Sequence, residues 1–357
     1  MQRLLLLAIF ISHLAFGQQE KSSSSDNYIY PDSSWQSETN VAKNGWNNES
    51  LNKLKLYIID STNATGVVVI QSGKILFDYG DTKETSYIAS CRKSILSMLY
   101  GPFVESGEID LSTTIERLHI EDVGGLLPEE KKATIKDLLT ARSGVYHAAS
   151  NEGDASAMAP KRGRVKPGEF WLYNNWDFNV AGYILEQRTG KTIYQLIDSM
   201  FAKPLKMQDW NINEQRKTGD STRSKYLAYH IWFSTRDMAR IGYLMLRNGK
   251  WKDEQIIPAD WVKRTTSVVS PYRKAVEEGT AYYHFGYGYL WWIWDGPYNK
   301  GAYQNAYSAT GAYGQFITVL PKLDLVIAFK TKYDYGRQTS TDLYLKFLDK
   351  LIAAREK

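Results

Sequence analysis

Cysteine is almost absent from this chain, which has Cys91 as its single cysteine among 357 residues. One cysteine excludes an intramolecular disulfide, so other interactions must hold the fold together. A chain of this length is long enough to bury a substantial hydrophobic core. The sequence therefore predicts a globular protein that is stabilised by its core.

Long hydrophobic runs are also scarce. The N-terminus has one from Leu4 to Phe16, which follows Arg3 and is interrupted by Ser12 and His13. It is shorter than the ~18 to 20 apolar residues that cross a bilayer as a helix, and small residues flank its end. The pattern predicts a secretory signal peptide at 1–17 and an exported protein, periplasmic or secreted. No stable membrane insertion is expected once that signal is cleaved.

No charge of one sign dominates, because 44 Lys and Arg residues stand against 39 Asp and Glu residues, which gives a net charge of +5. The basic stretch at 161–166 is local and contains no aromatic residues, so nucleic acid is not predicted as a partner. The five histidines show no metal-ligand spacing. The sequence therefore predicts neither a metal nor another cofactor.

The composition changes along the chain. Residues 18–48 are rich in Ser, Asn and Gln and predict a flexible leader, whereas 49–357 predicts the folded domain. The β-branched run and turn at 66–79 predict a hairpin, and further strands are expected after 282. A mostly helical region at about 105–265 lies between them. Strands at both ends with helices between them predict an α+β sandwich with a helical insertion.

Local patterns give finer expectations for single elements. Apolar periodicity predicts one helix from Val180 to Met200 and another from Thr235 to Arg247. The aromatic run Tyr287 to Trp294 predicts one strand, and Ser50 is interpreted as the N-cap of the first helix.

Ser90-Cys91-Arg92-Lys93 is the first chemical motif, and it follows Tyr87-Ile88-Ala89 directly before an apolar helical face. Residues at i and i+3 share a helix face, so the Lys93 amine can reach the Ser90 hydroxyl. An adjacent base is what makes a serine a useful nucleophile. The alternative interpretation of Ser90 is a helix N-cap. The same spacing at Ser50 and Lys53 lacks this setting.

Two later segments support the nucleophile interpretation. Tyr173-Asn174-Asn175 follows a Pro-Gly pair and precedes an apolar helix, and Ser308 to Gln315 leads into an apolar strand. Tyr-x-Asn recurs at 303–305, which is interpreted as a loop, and Asn175 has the alternative interpretation of a structural cap.

With these motifs, the chain resembles the serine beta-lactamase and penicillin-binding-protein superfamily, whose signature combines Ser-x-x-Lys with later Ser/Tyr-x-Asn and Lys-Thr-Gly elements. Tyr-x-Asn is closer to the class C lactamase-like branch, with its esterases and 6-aminohexanoate-dimer hydrolases. The segments 134–144 and 234–242 are similar to that branch too. The likeness spans about 60 to 345 and implies an antiparallel sheet flanked by helices.

The resemblance implies an acyl-enzyme mechanism with Ser90 as the nucleophile, while Lys93 and Tyr173 share the proton transfers. It also implies an oxyanion hole from the backbone N–H groups of Ser90 and Ala312. Four further residues are expected to bind substrate: Asn175, Thr310, Gly311 and His230. Gly311 has no Cβ and can allow a close approach. His230 has the alternative interpretation of a loop or core residue.

Ala309 departs from the pattern, because lactamases and transpeptidases carry lysine there and many related esterases carry histidine. The missing cation favours an uncharged ester or linear amide over a beta-lactam. The predicted function is an exported serine hydrolase that acts on a small ester or amide, with cell-wall-derived compounds among the candidates. The alternatives are a beta-lactamase or D-Ala-type peptidoglycan peptidase, and a catalytically silent binding protein of the same fold.

Overall fold

The computed structural model describes residues 28–151, 155–272 and 285–356. The predicted signal peptide at 1–17 and the first part of the predicted leader lie outside these residues. None of the helices in the described ranges is both long and apolar enough to cross a membrane.

A seven-stranded antiparallel sheet forms the centre of the fold, with the strand order β2-β1-β13-β12-β11-β10-β9. Its strands are β1 (Gly66–Gln71), β2 (Lys74–Gly80), β9 (Gly286–Tyr287), β10 (Trp292–Ile293), β11 (Tyr307–Gly311), β12 (Gln315–Leu320) and β13 (Leu325–Lys330). The hairpin predicted at 66–79 is therefore present. It closes through Ser72 and Gly73, both in the left-handed region that tight turns require.

The helices surround this sheet. They are α1 (Asn48–Ser61), α2 (Cys91–Glu105), α3 (Ile135–Leu139), α4 (Asn175–Thr189), α5 (Ile193–Ile197), α6 (Thr235–Leu246), α7 (Ala259–Thr265) and α8 (Thr341–Ala353). The α8 face packs on one side of the sheet, where the ring of Tyr344 stacks on Phe316 at 3.8 Å. The α6 helix packs on the other side, where Gly242 allows close contact with Ile317 and Val326. The α+β prediction is confirmed.

Six short strands pair outside the central sheet. They are β3 (Ser86–Tyr87) with β6 (Trp232–Phe233), β4 (Arg216–Thr218) with β5 (Ala228–His230), and β7 (Lys250–Trp251) with β8 (Glu254–Gln255). These strand pairs and the helices α3 to α7 all lie between β2 and β9 in the chain. This part of the chain is therefore mostly helical, with small two-stranded sheets.

Residues 28–48 do not form a free leader, so the prediction of flexibility is wrong for this part of 18–48. Trp46 is fully buried and donates its indole N–H to Gln71 Oε1 at 2.7 Å. Trp35 is also buried, and the Glu38 N–H donates to the Ile75 carbonyl. Aromatic side chains bury large areas, and two of them outweigh the polar composition of the segment.

Three of the finer predictions were wrong. Asn47, not Ser50, caps α1, since its side chain accepts the Ser50 N–H. The single helix predicted from Val180 ends at Gly190, which adopts φ +66, and a new helix begins after Thr192. The predicted aromatic strand is two strands, because Leu290 adopts φ +61 and turns the chain.

Candidate active site

Ser90 lies at the start of α2, directly after a strained turn. Ala89 adopts φ +48, which is uncommon for a residue with a side chain. Ser90 occupies the N-cap position, but its side chain makes no capping hydrogen bond. Its Oγ instead accepts a hydrogen bond from Lys93 Nζ at 2.7 Å. The N-cap alternative is therefore wrong for this hydroxyl, which the fold directs toward the lysine.

Lys93 connects Ser90 to Tyr173. Its Nζ lies 2.7 Å from the Tyr173 hydroxyl oxygen as well as 2.7 Å from Ser90 Oγ. Lys93 is 3% exposed and Tyr173 is 8% exposed, so the chain of polar atoms is largely shielded from water. The Tyr173 ring stacks on Trp292 at 5.4 Å and contacts Phe178 at 4.9 Å, which fixes its position. The three groups are thus held in hydrogen-bond contact by packing.

The Tyr-Asn-Asn segment divides its roles between the two asparagines. Asn174 Oδ1 accepts the Trp176 N–H and caps α4, while Asn174 Nδ2 donates to the Val145 carbonyl at 2.7 Å. The cap interpretation of Asn175 is therefore wrong. Asn175 is buried and lines the same cleft as Ser90.

One cleft of about 290 Å³ brings most of the predicted site residues together. Ser90, Lys93, Tyr173, Asn175, His230 and Ala312 all line it. Thr310 does not line it, but is buried in β11 opposite Phe316. Gly311 also lies outside the lining, at the end of the same strand.

Gly311 lets β11 approach the turn that carries the serine. A Cβ at this position would lie 2.6 Å from the Ile88 carbonyl oxygen and 3.0 Å from the Ser90 nitrogen. The close approach predicted for Gly311 is therefore to the protein backbone. It places the chain at Ala312 beside Ser90. Among the described residues, neither of their two N–H groups donates to a protein acceptor, so both are available to an oxyanion.

His230 lies on the cleft wall at the end of β5. Its ring contacts Tyr87 edge-on at 4.8 Å. Burial, together with the positive charges of Arg92, Arg216 and Lys93, lowers the pKa of His230 to about 3. The imidazole is therefore neutral near pH 7 and does not itself carry a positive charge in the cleft.

Sequence reasoning did not select five other residues that line the cleft: Tyr87, Ala89, Arg92, Asn151 and Tyr313. Tyr87 lies three residues before Ser90, and Tyr313 directly follows Ala312. Their proximity along the chain to predicted site residues could therefore have identified them. Arg92 occupies one of the two unspecified positions of the Ser-x-x-Lys motif, which carries no signal for a role of its own. Asn151 lies in a polar loop whose sequence has no distinguishing pattern.

A second cavity of about 230 Å³ also borders the Tyr-x-Asn segment. Tyr173 and Asn175 border both cavities, and Tyr146, Ala159 and Leu172 contribute to the second one.

Neither Cys91 nor Ala309 lines the cleft. Cys91 is fully buried, its Sγ donates to the Gln315 carbonyl at 3.4 Å, and burial raises the pKa of its thiol. Ala309 is fully buried in β11.

The basic stretch at 161–166 supplies none of the cleft lining, and Arg162 makes a paired contact with Glu130.

Metal binding has no support in the described residues, where no group of three or more His, Cys, Asp or Glu side chains converges. The chemistry available in the cleft is that of a hydroxyl, an amine and a phenol in hydrogen-bond contact, next to two backbone N–H groups. This combination suits nucleophilic attack on a carbonyl.

Known proteins resemble this chain in sequence and in fold. An uncharacterised protein of Alkalihalophilus pseudofirmus is 26% identical over 260 residues, which cover 67% of this chain and 71% of that protein. The structure of a proposed 6-aminohexanoate-dimer hydrolase from Bacillus anthracis superposes with a TM-score of 0.62 at 20% identity, covering 83% of this chain and 80% of that one. A family VIII carboxylesterase superposes with a TM-score of 0.62 at 12% identity, covering 86% and 97%.

At these identities, the two solved structures show a shared fold and nothing about substrate. The family assignment comes from the sequence, because residues 60–349 match the beta-lactamase family model. That range includes Ser90, Lys93, Tyr173 and Ala312, as well as the whole central sheet. The chain therefore belongs to the beta-lactamase family.

Proposed function

We propose that this protein is an exported serine hydrolase that cleaves an ester or a linear amide through an acyl-enzyme on Ser90. The observation that carries the proposal is the chain of contacts from Ser90 Oγ to Lys93 Nζ to the Tyr173 hydroxyl, 2.7 Å at each step. A serine needs a neighbouring base to act as a nucleophile, and Ser–Lys arrangements are an established variant.

In the acylation step, Ser90 Oγ attacks the substrate carbonyl carbon. Its proton passes to the Lys93–Tyr173 pair, and the bond to the leaving alcohol or amine breaks as Tyr173 returns a proton to it. The positive charge of Lys93 stabilises negative charge on the Tyr173 oxygen. The products of this step are the free leaving group and an ester on Ser90.

Deacylation reverses these roles with water as the nucleophile. Tyr173 accepts a proton from the water, the hydroxyl adds to the acyl carbon, and Ser90 Oγ leaves with a proton. In both steps, the N–H groups of Ser90 and Ala312 stabilise the oxyanion. Each such donor contributes about 10²- to 10³-fold in turnover. Asn175, on the cleft wall, would orient Lys93 or the acyl group.

The names of two structural relatives agree with this proposal, since one is a proposed 6-aminohexanoate-dimer hydrolase and the other a carboxylesterase. Small esters and amides, including cell-wall-derived ones, are the substrates to test. The sequence at 1–17 supports a periplasmic or secreted location.

A substrate panel followed by intact-mass measurement tests the proposal. We expect turnover of a chromogenic short-chain ester and its loss in Ser90→Ala, with a covalent adduct of one acyl group on the wild-type protein alone. Turnover of a chromogenic cephalosporin or a D-Ala amide in preference to every ester would support the lactamase or peptidase alternative. Absence of turnover, together with no labelling of Ser90 by a fluorophosphonate, would support the silent binding protein.

Export is tested separately, by expressing the full chain in a bacterial host and sequencing the N-terminus of the recovered protein. We expect the mature chain to begin near Gln18 and to be found outside the cytoplasm. An intact Met1 N-terminus on a protein that remains in the cytoplasm would contradict export without affecting the hydrolase proposal.

A further inference from the structure

Arg92 places a buried guanidinium on the wall of the cleft. It is 1% exposed, and its Nη2 donates to Asn179 Oδ1 at 3.2 Å. Its guanidinium carbon lies 4.3 Å from the centroid of the Tyr229 ring. An amide oxygen and an aromatic ring hold the side chain in place, but neither carries a negative charge.

Arg92 takes part in none of the ion pairs formed among the described residues. Its Nη1 is buried and makes no hydrogen bond to these residues, and besides Asn179 the neutral hydroxyls of Tyr87 and Tyr229 are the polar groups that interact with the guanidinium. A desolvated donor without an acceptor is costly, and a desolvated cation without an anion is more so. The fold therefore retains a group that an incoming anion would stabilise.

The residues around Arg92 also favour the binding of an anion. Asn179 Nδ2 donates to Asn151 Oδ1 at 2.9 Å, so Asn179 connects Arg92 to a second polar residue of the cleft. His230 lies on the same wall, and its Nδ1 is also buried without a hydrogen-bond partner. Among the described residues that line the cleft, two are cations, Arg92 and Lys93, and none is acidic.

Arg92 and Lys93 serve different parts of the cleft. Adjacent residues on a helix point in different directions, and Lys93 is already held between Ser90 and Tyr173. In the proposed mechanism the leaving group lies beside Lys93 and Tyr173, because Tyr173 returns a proton to the leaving group. The wall with Arg92, Asn151 and His230 is therefore left for the acyl part of the substrate.

We infer that Arg92 is a specificity-determining residue that binds a carboxylate on the acyl group, so that the preferred substrates are half-esters or half-amides of dicarboxylic acids. This inference rests on the proposed function and adds its substrate class. It also revises the expectation of an uncharged substrate, which depended on Ala309 alone.

The test compares two substrates that differ in one charge, 4-nitrophenyl hydrogen glutarate and its methyl ester. We expect the wild-type kcat/KM to favour the free carboxylate by about 10- to 100-fold, since hydrogen bonds to charged groups contribute that much. In Arg92→Gln, the ratio of the two values falls to near one. A wild-type ratio of one or below would overturn the inference whatever the variants do.

Arg216→Gln is the matched control. The Arg216 guanidinium stacks on Trp232 at 3.9 Å and adds to the positive potential at His230, but it does not line the cleft. We expect its ratio to stay within about threefold of wild type, because screened, longer-range charge contributes less than contact. An equal loss of ratio in Arg92→Gln and Arg216→Gln would overturn direct binding by Arg92.

Calorimetry on Ser90→Ala separates the inference from the proposed function and needs no Arg92 variant to fold. Monomethyl glutarate should bind at least about 10-fold more tightly than dimethyl glutarate. Such binding without turnover of either nitrophenyl ester by wild type would refute the hydrolase proposal and keep the carboxylate subsite. Turnover of both esters with a ratio near one, and equal binding of the two glutarates, would keep the hydrolase and refute the subsite.

Discussion

Gly311→Ala is the substitution for which the structure gives the clearest magnitude. The added Cβ would lie 2.6 Å from the Ile88 carbonyl oxygen, about 0.8 Å short of an ordinary contact of 3.4 Å. The two nearest atoms, the Ile88 carbonyl oxygen and the Ser90 nitrogen, both belong to the backbone, so no flexible side chain can move to relieve the clash. The end of β11 must move away from the turn that carries Ser90, and the Ala312 N–H must move with it.

This displacement predicts a large loss of turnover. Oxyanion donors act at 2.7 to 3.1 Å, and a movement of about 0.8 Å takes one donor out of that range. Loss of one donor lowers kcat by about 10²- to 10³-fold, while overpacking lowers the free energy of unfolding by about 1 to 3 kcal/mol. The measurements are kcat on a chromogenic ester and urea denaturation of the same preparation.

Gly242→Ala separates the loss of turnover from the loss of stability, because this substitution overpacks the core at a position outside the site. Its Cβ would clash with Val326 Cγ1 and would lie 2.8 Å from Ile317 Cγ2, on the sheet face that α6 covers. We expect a comparable loss of stability with kcat per folded molecule within about twofold of wild type. Wild-type kcat in Gly311→Ala, or an equal loss of kcat in Gly242→Ala, would refute the proposed role of the β11 end.

Three further predictions follow from single residues. Tyr173→Phe removes only the hydroxyl next to Lys93, so kcat should fall by about 10²- to 10⁴-fold, while loss of the hydrogen bond to the buried amine lowers the free energy of unfolding by no more than about 3 kcal/mol; wild-type kcat would exclude Tyr173 from proton transfer. His230 has a folded-state pKa lowered to about 3, so stability is lost as the pH falls from about 6.5 toward 3. The drop in urea midpoint between pH 7 and pH 4.5 should therefore be smaller in His230→Gln, and an equal drop would contradict burial of the neutral imidazole. Trp46→Ala should lower the free energy of unfolding by about 3 to 5 kcal/mol, and a loss below about 1 kcal/mol would show that this segment is not part of the fold.

The parts of the fold that were predictable have strong local patterns. The hairpin at 66–79 combines β-branched residues with a Ser-Gly turn, and the helix at 235–246 presents one apolar face. These signals depend on neighbouring residues alone. Breaks within long apolar stretches were missed, because Gly190 and Leu290 interrupt periodicity through backbone angles that an apolar pattern does not encode.

The packing of residues 28–48 was missed for a different reason. Their composition is typical of a flexible segment, and only four aromatic residues, Tyr28, Tyr30, Trp35 and Trp46, argue otherwise. Whether an exposed-looking aromatic finds a pocket depends on residues far along the chain. For Trp46 these include Gln71, which accepts its indole N–H, and Arg355, whose guanidinium lies 5.7 Å from its ring. Such long-range contacts leave no mark in the segment's own sequence.

The electrostatic character of the cleft shows what a motif comparison can miss. Ala309 removes a cation from one position, and from the motif alone this indicates a cleft suited to neutral substrates. In the folded protein, Ala309 is fully buried in the sheet and does not line the cleft, whereas Arg92 places a guanidinium on the cleft wall. The Ser-x-x-Lys motif fixes the positions of its first and last residues and leaves the two between them free. Here one of those, Cys91, packs on the sheet, and the other supplies an unbalanced charge. The charge that a substrate meets therefore depends on which side chains the helix turns toward the cleft, so the substrate class has to be tested at Arg92 as well as at Ala309.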